Sequence, residues 1–181
     1  GIAVPASLRL NWRGDVRAEE IYKPRLYVLA VGVTQYANPD YNLGLAAKDA
    51  ADFTRVLQQQ KGKLYADVQV RLLTDAGATK DDVLDGLEWL KREVTARDVG
   101  IVFIAGHGKN DESGRYYFLP HNADPQNLLR TGVKQTDIRD TLNGLAGKAV
   151  FFVDTCHAGN VLGTARTRGV GLFLRPGIPA G

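Results

Sequence analysis

Four apolar runs, separated by stretches of helical periodicity, constrain this chain more than any other feature. Residues 26–33 (LYVLAVGV), 99–105 (VGIVFIA) and 149–153 (AVFFV) are apolar almost without interruption. A strand with one wet face alternates; a continuous run is a strand covered on both faces. Residues 68–73 (VQVRLL) begin by alternating, as a half-covered strand does. Between the runs, Ala46, Ala50, Phe53 and Leu57 recur at helical spacing through residues 45–60. Thr79 and Asp82 form a capping-box pattern ahead of Val83, Leu87, Leu90 and Val94. Ile138, Leu142 and Leu145 mark a third helix, and residues 116–119 (YYFL) read as a short strand or hairpin arm. Strand–helix alternation of this kind predicts a three-layer α/β/α fold with a mostly parallel central sheet. Such sheets carry their chemistry in loops beyond the carboxyl ends of the strands.

Two of those strand ends hold reactive side chains. The run 99–105 leads into Gly106-His107-Gly108, and 149–153 leads into Asp154-Thr155-Cys156-His157-Ala158-Gly159. Glycines at both places let a backbone or substrate come close. The histidine precedes the cysteine by about 50 residues, and adjacent parallel strands would bring the two to one sheet edge. A thiolate is a strong nucleophile, and an imidazole titrates near neutrality, so the pair suits acyl transfer.

These AGHG and DTCHAG segments resemble the His and Cys boxes of caspase-like cysteine peptidases, closest to metacaspases and bacterial caspase-like proteins. The order of elements agrees along roughly residues 25–160. The resemblance implies a cysteine endopeptidase with Cys156 as nucleophile and His107 as general base and acid. It implies an oxyanion hole from the backbone N–H groups of Gly108 and Cys156. It also places acids at Asp154 and Asp49, where metacaspases receive Arg or Lys of the substrate. Residues two apart on an extended strand share a face, so Asp154 can stand beside Cys156. Two carboxylates attract a guanidinium and repel an acidic side chain, so cleavage after Arg or Lys is expected. Ala105 and Ala46 stand where metacaspases often have Ser and some have Cys. Arg166 and Arg168, in an ARTRG stretch, fall where family members are often cut during maturation. Calcium activation is common among metacaspases; Asp111, Glu112 and Asp124 are the acids nearest to hand, but no calcium-loop spacing is present, so neither metal nor cofactor is assigned.

The organisation expected from this reading is an N-terminal extension or remnant of a preceding domain over residues 1–24, containing the alternating 7–12 (SLRLNW). A caspase-like catalytic domain, the large-subunit portion, follows over 25–160. Residues 161–181 read as a flexible Arg/Gly-rich tail and processing region. Expected partners are protein or peptide substrates and a small-subunit or sensor domain of the same parent protein.

Other classes fare worse. The net charge is +3, but Arg166, Arg168 and Arg175, with no acid in 161–181, account for all of it. No basic stripe with interleaved aromatics suggests nucleic acid. No apolar stretch approaches the roughly 18 residues of a membrane span. The first residues lack the basic start and apolar run of a secretory leader, and the lone Cys156 cannot form an internal disulfide, so a cytoplasmic location is expected. No G-x-S-x-G elbow supports an α/β-hydrolase, and neither G-x-G-x-x-G nor a P-loop supports a nucleotide- or phosphate-binding module. The alternative that remains is a catalytically inactive caspase-like regulatory or interaction module.

Overall fold

The computed structural model describes residues 22–155 and the strand 171–175 of the 181-residue chain. Its centre is a five-stranded, mostly parallel sheet. Strand β1 (Leu26–Gly32) pairs in parallel with β2 (Val68–Thr74) on one side and β3 (Val99–Gly106) on the other. Strand β3 pairs in parallel with β7 (Lys148–Thr155). Strand β8 (Gly171–Arg175) adds antiparallel to β7, inside the segment that the sequence suggested was a tail.

Every residue of β1 is buried, as its unbroken apolar run requires of a strand covered on both faces. Leu26, Val28 and Ala30 meet Ala50, Phe53 and Leu57 of helix α1 (Ala46–Gln58) on one face. Tyr27, Leu29 and Val31 turn to the other face, with Leu87 and Leu90 of α2 (Lys80–Glu93) and Ile138 and Leu142 of α4 (Gln135–Gly144). Three layers result. The Thr79–Asp82 capping box opens α2: the Thr79 hydroxyl accepts from the Asp82 N–H, and the Asp82 carboxylate accepts from the Thr79 N–H at 3.0 Å.

A second, three-stranded sheet stands beyond the carboxyl end of β3. Strand β4 (Gly108–Asn110) forms a hairpin with β5 (Tyr116–Phe118), which pairs with the short β6 (Val133–Lys134) after helix α3 (Leu128–Thr131). Neither α3 nor β6 was visible as periodicity, because elements of four and two residues carry none. Among the described residues no helix is long and apolar enough to cross a membrane.

Successive crossovers set the site. From β1 the chain passes over one face through α1 to β2, then over the other face through α2 to β3 on the far side of β1. The chain leaving β1 goes to α1 on one face and the chain leaving β3 leads to α4 on the other, and a crevice opens at the strand ends where they part.

Candidate active site

His107 is the first residue past β3. The chain reaches it through Gly106, whose φ of +151° is disfavoured for residues with a Cβ. A side chain at Gly106 would also meet Phe118 and the Tyr36 hydroxyl at 3.0 Å. The Tyr36 hydroxyl accepts a hydrogen bond from the His107 N–H at 2.8 Å. The imidazole lies tilted against the Tyr36 ring, centroids 5.2 Å apart, and edge-on to Tyr41 at 6.2 Å. Its Nε2 sits 2.9 Å from the Tyr41 backbone oxygen. A carbonyl can only accept, so this bond puts the ring proton on Nε2 and leaves the Nδ1 lone pair available.

Tyr36 and Tyr41 belong to the loop between β1 and α1, which is braced throughout. Asp75 Oδ1 accepts from the N–H groups of Thr34 and Gln35, each at 2.8 Å. Asn42 Oδ1 accepts from the Tyr36 N–H at 2.8 Å. Asn38 and Pro39 open a short 3-10 turn, Pro39–Tyr41, in which the Asn38 side chain accepts from the Asp40 N–H. The Thr34 hydroxyl accepts from the Ala47 N–H at 2.8 Å, replacing the cap that Leu45 cannot provide at the start of α1. That bond fixes the first turn of α1, and with it Asp49. The aromatic pair was not singled out from the sequence; its only signal was TQYANPDYN, two tyrosines flanking an Asn-Pro-Asp turn after a buried strand.

Gly108 follows as the first residue of β4, opposite Phe118. The Leu119 N–H donates to the His107 carbonyl at 2.9 Å, which makes Gly108 and Phe118 a non-hydrogen-bonded pair. The Gly108 N–H therefore points away from β5, as an oxyanion donor must.

Strand β7 brings its end alongside. Ala105 pairs with Asp154 and Gly106 with Thr155, the last rung between the two strands. The next residues along the chain are His107 and Cys156. Cys156 lies outside the described residues, as do His157, Arg166, Arg168 and residues 1–21.

Asp49 and Asp154 come together. Both line a cavity of about 340 Å³ with Leu43, Gly44, Leu45, Ala46, Ala105, Gly106 and Thr155. Asp154 is exposed and Asp49 half-buried, and neither carboxylate is in an ion pair among the described residues. A larger cavity of about 440 Å³ lies between the β4–β5 hairpin and residues 125–129, away from the ends of β3 and β7. It holds none of the residues singled out for catalysis.

The acids considered for calcium do not converge. Asp111 is engaged in its own turn: Oδ1 accepts from the N–H groups of Ser113 and Arg115 at 2.9 Å, and Oδ2 from Arg115 Nε at 2.7 Å. Burial raises its carboxyl, but the Arg115 N–H, the Arg115 guanidinium and the Ser113 N–H outweigh that and hold it below the usual carboxylate range. Asp124 Oδ1 accepts from the Gln126 N–H at 2.9 Å in a separate turn. Among the described residues no group of three or more His, Cys, Asp or Glu side chains is arranged to hold a metal ion.

A mostly parallel sheet between two helical layers, with a histidine and two acids at its carboxyl edge, defines a three-layer α/β protein. The family is more specific. The caspase-domain model of the C14 peptidases matches residues 25–171, and the chain belongs to this family of cysteine peptidases. The fold is similar to the crystal structure of protein GSU0716 from Geobacter sulfurreducens, with a TM-score of 0.60 and 18% identity over 77% of this chain. The match covers 53% of that protein, so this chain spans about half its length. Comparison with curated proteins found no match.

Proposed function

We propose that this chain is the catalytic portion of a cysteine endopeptidase that cleaves after Arg or Lys. The observation that carries the specificity is the shared cavity of Asp49 and Asp154, two carboxylates from a helix and a strand, without ionic partners among the described residues. A guanidinium or ammonium entering between them would gain charge-assisted hydrogen bonds, while an acidic side chain would be repelled.

In this reading His107 Nδ1 takes the proton of the Cys156 thiol, the thiolate attacks the scissile carbonyl carbon, and the carbonyl electron pair moves onto oxygen. The N–H groups of Gly108 and Cys156 hold that oxyanion. The tetrahedral species collapses as the C–N bond breaks, and His107 Nδ1 hands the departing amine its proton. Water, deprotonated by the same nitrogen, then releases the acyl group and restores the thiolate. The bond from Nε2 to the Tyr41 carbonyl supports this assignment, since it orients the ring and reserves Nδ1 for proton transfer. Protein or peptide substrates, a small subunit or sensor domain from the same parent, and processing at Arg166 or Arg168 complete the proposal. A catalytic thiol of this kind suits a reducing compartment such as the cytoplasm.

The test is a panel of fluorogenic peptides with Arg, Lys or Asp at P1, assayed with and without calcium. Turnover of the Arg and Lys peptides is expected, falling by about three orders of magnitude or more in Cys156→Ala and in His107→Ala. Turnover of the Asp peptide alone would overturn the pocket assignment. Wild-type protein that neither turns over a peptide nor is labelled at Cys156 by an Arg-chloromethylketone would favour the inactive interaction module.

A further inference from the structure

One side chain touches the neighbours of both proposed catalytic residues. Tyr116, at the start of β5, is 3% exposed, and its hydroxyl is hydrogen-bonded to the hydroxyl of Thr155, itself 7% exposed. Thr155 is the last residue of β7 and immediately precedes Cys156. The Tyr116 phenol also lies against Gly108, which immediately follows His107: a Cβ at Gly108 would collide with the ring. The bond joins two sheets, because β5 belongs to the β4-β5-β6 sheet and β7 to the central one.

Its position in the ladder explains why such a bond is useful. Gly106 and Thr155 form the last rung among the described residues of β3 and β7, and β3 itself ends at Gly106. The hydroxyl pair ties the strands to the hairpin at that rung. A phenylalanine would fill almost the same volume as Tyr116 without the cost of desolvating a hydroxyl. The buried hydroxyl therefore contributes direction, since a hydrogen bond fixes separation and angle where apolar contact does not.

We propose that Tyr116, through Thr155 and Gly108, is a positioning residue that sets the spacing between the His107–Gly108 turn and the nucleophile at 156. This rests on the peptidase reading above. Tyr116 does not act on substrate itself. Thr155 alternates with Asp154, so its side chain is on the α2/α4 face of β7, and the cavity acid is on the α1 face. The residue works by holding its neighbours in place, and a displacement of about 1 Å in such a constellation costs on the order of 100-fold in rate.

Steady-state kinetics on an Arg-P1 peptide test this with Tyr116→Phe, Thr155→Val, the double variant and Thr155→Ser. Each of the first two is expected to lower kcat by about 10- to 100-fold with KM within about twofold of wild type. The double variant should be no slower than either single one, because both remove the same bond. Thr155→Ser keeps a hydroxyl and should recover most of the rate lost in Thr155→Val. A second readout needs no turnover: the pH midpoint of Cys156 alkylation by iodoacetamide should rise in Tyr116→Phe, as the thiol loses alignment with His107.

Wild-type kcat and alkylation in Tyr116→Phe, alongside loss in His107→Ala, would overturn the positioning role and leave the peptidase reading standing. Effects of the two single variants that simply add, or a lower melting temperature with kcat unchanged in the folded protein, would overturn it as well. Wild-type protein showing neither turnover nor His107-dependent alkylation would bring down both.

Discussion

The two faces of the central sheet are built differently. Beneath α2 and α4 the core is broad, running from Tyr27 and Leu29 through Leu87, Leu90, Val102, Ile104, Ile138 and Leu142 to Phe151 and Val153. Beneath α1 the fully buried cluster is Leu26, Val28, Ala30, Ala50 and Ile101, and its margin is half-buried aromatic: Phe53 stacks on Phe103 at 4.6 Å and meets the edge of Phe152 at 5.1 Å. The cavity with Asp49 and Asp154 opens on this thinner side. Strand β7 shows the contrast within two residues, directing Thr155 to the buried hydroxyl of Tyr116 and leaving Asp154 exposed. One face is closed by packing, and the other leaves the two acids lining an open cavity.

The sharpest way to break that contrast is to remove comparable side chains from each face. Leu87→Ala, in the thick core at 2% exposure, should cost about 2–5 kcal/mol because the cavity it leaves cannot collapse. Phe53→Ala removes a larger side chain from the half-buried margin and should cost less, ~2 kcal/mol, since solvent replaces part of the lost contact. Urea denaturation of the two variants measures both. A larger loss from Phe53→Ala would mean that the α1 face carries more of the stability than its burial indicates.

The next test exchanges stability for specificity. Asp49→Asn and Asp154→Asn keep shape and remove charge from side chains without ionic partners among the described residues. Each should leave the melting temperature near wild type while lowering kcat/KM for an Arg-P1 peptide by about 10- to 100-fold, the size of one charge-assisted hydrogen bond. Loss of stability without loss of Arg preference would assign these acids to the helix and strand ends rather than to the substrate.

The same contrast of faces governs what could be read from the chain beforehand. Strands β1, β3 and β7 were legible because both their faces are covered, so the apolar runs were uninterrupted. Strand β7 nonetheless extends past its expected end at Val153, because β3 supplies ladder partners to Asp154 and Thr155 whatever their polarity. Periodicity contributed only the strand and helix that carry the cavity acids; the acids themselves could be named because the resemblance to metacaspases puts acids at these two positions. Tyr36, Tyr41 and Tyr116 could not. Their roles depend on a loop folding back over His107 and on a hairpin crossing to β7, contacts separated by 66 to 71 positions for the loop and 39 for the hairpin. Periodicity does not report such distances. Strand β8 was legible only as the apolar GLFL within an Arg/Gly-rich segment; a run that short does not show its partner, and its pairing with β7 is a tertiary fact.

The smallest expected effect concerns the hairpin that carries Gly108. Asp111 closes its turn through Ser113 and Arg115, and its folded carboxyl is held below the usual range, chiefly against the opposing effect of burial, by the Arg115 and Ser113 N–H groups and the Arg115 guanidinium. A depressed folded value means that the turn gains stability from the ionised carboxylate above the unfolded-state value, and loses it as pH falls through the lower folded one. Hydrogen exchange at the Ser113 and Arg115 amides should show protection declining over that acidic window in the wild type. In Asp111→Asn protection should be weaker at neutral pH and nearly independent of pH across the same window. Because Gly108 and Tyr116 are braced from the central sheet through Thr155, loosening this outer turn should leave turnover near wild type. A large loss of turnover in Asp111→Asn would instead show that the spacing at Gly108 is set from the tip of the hairpin and not from the last rung of β3 and β7.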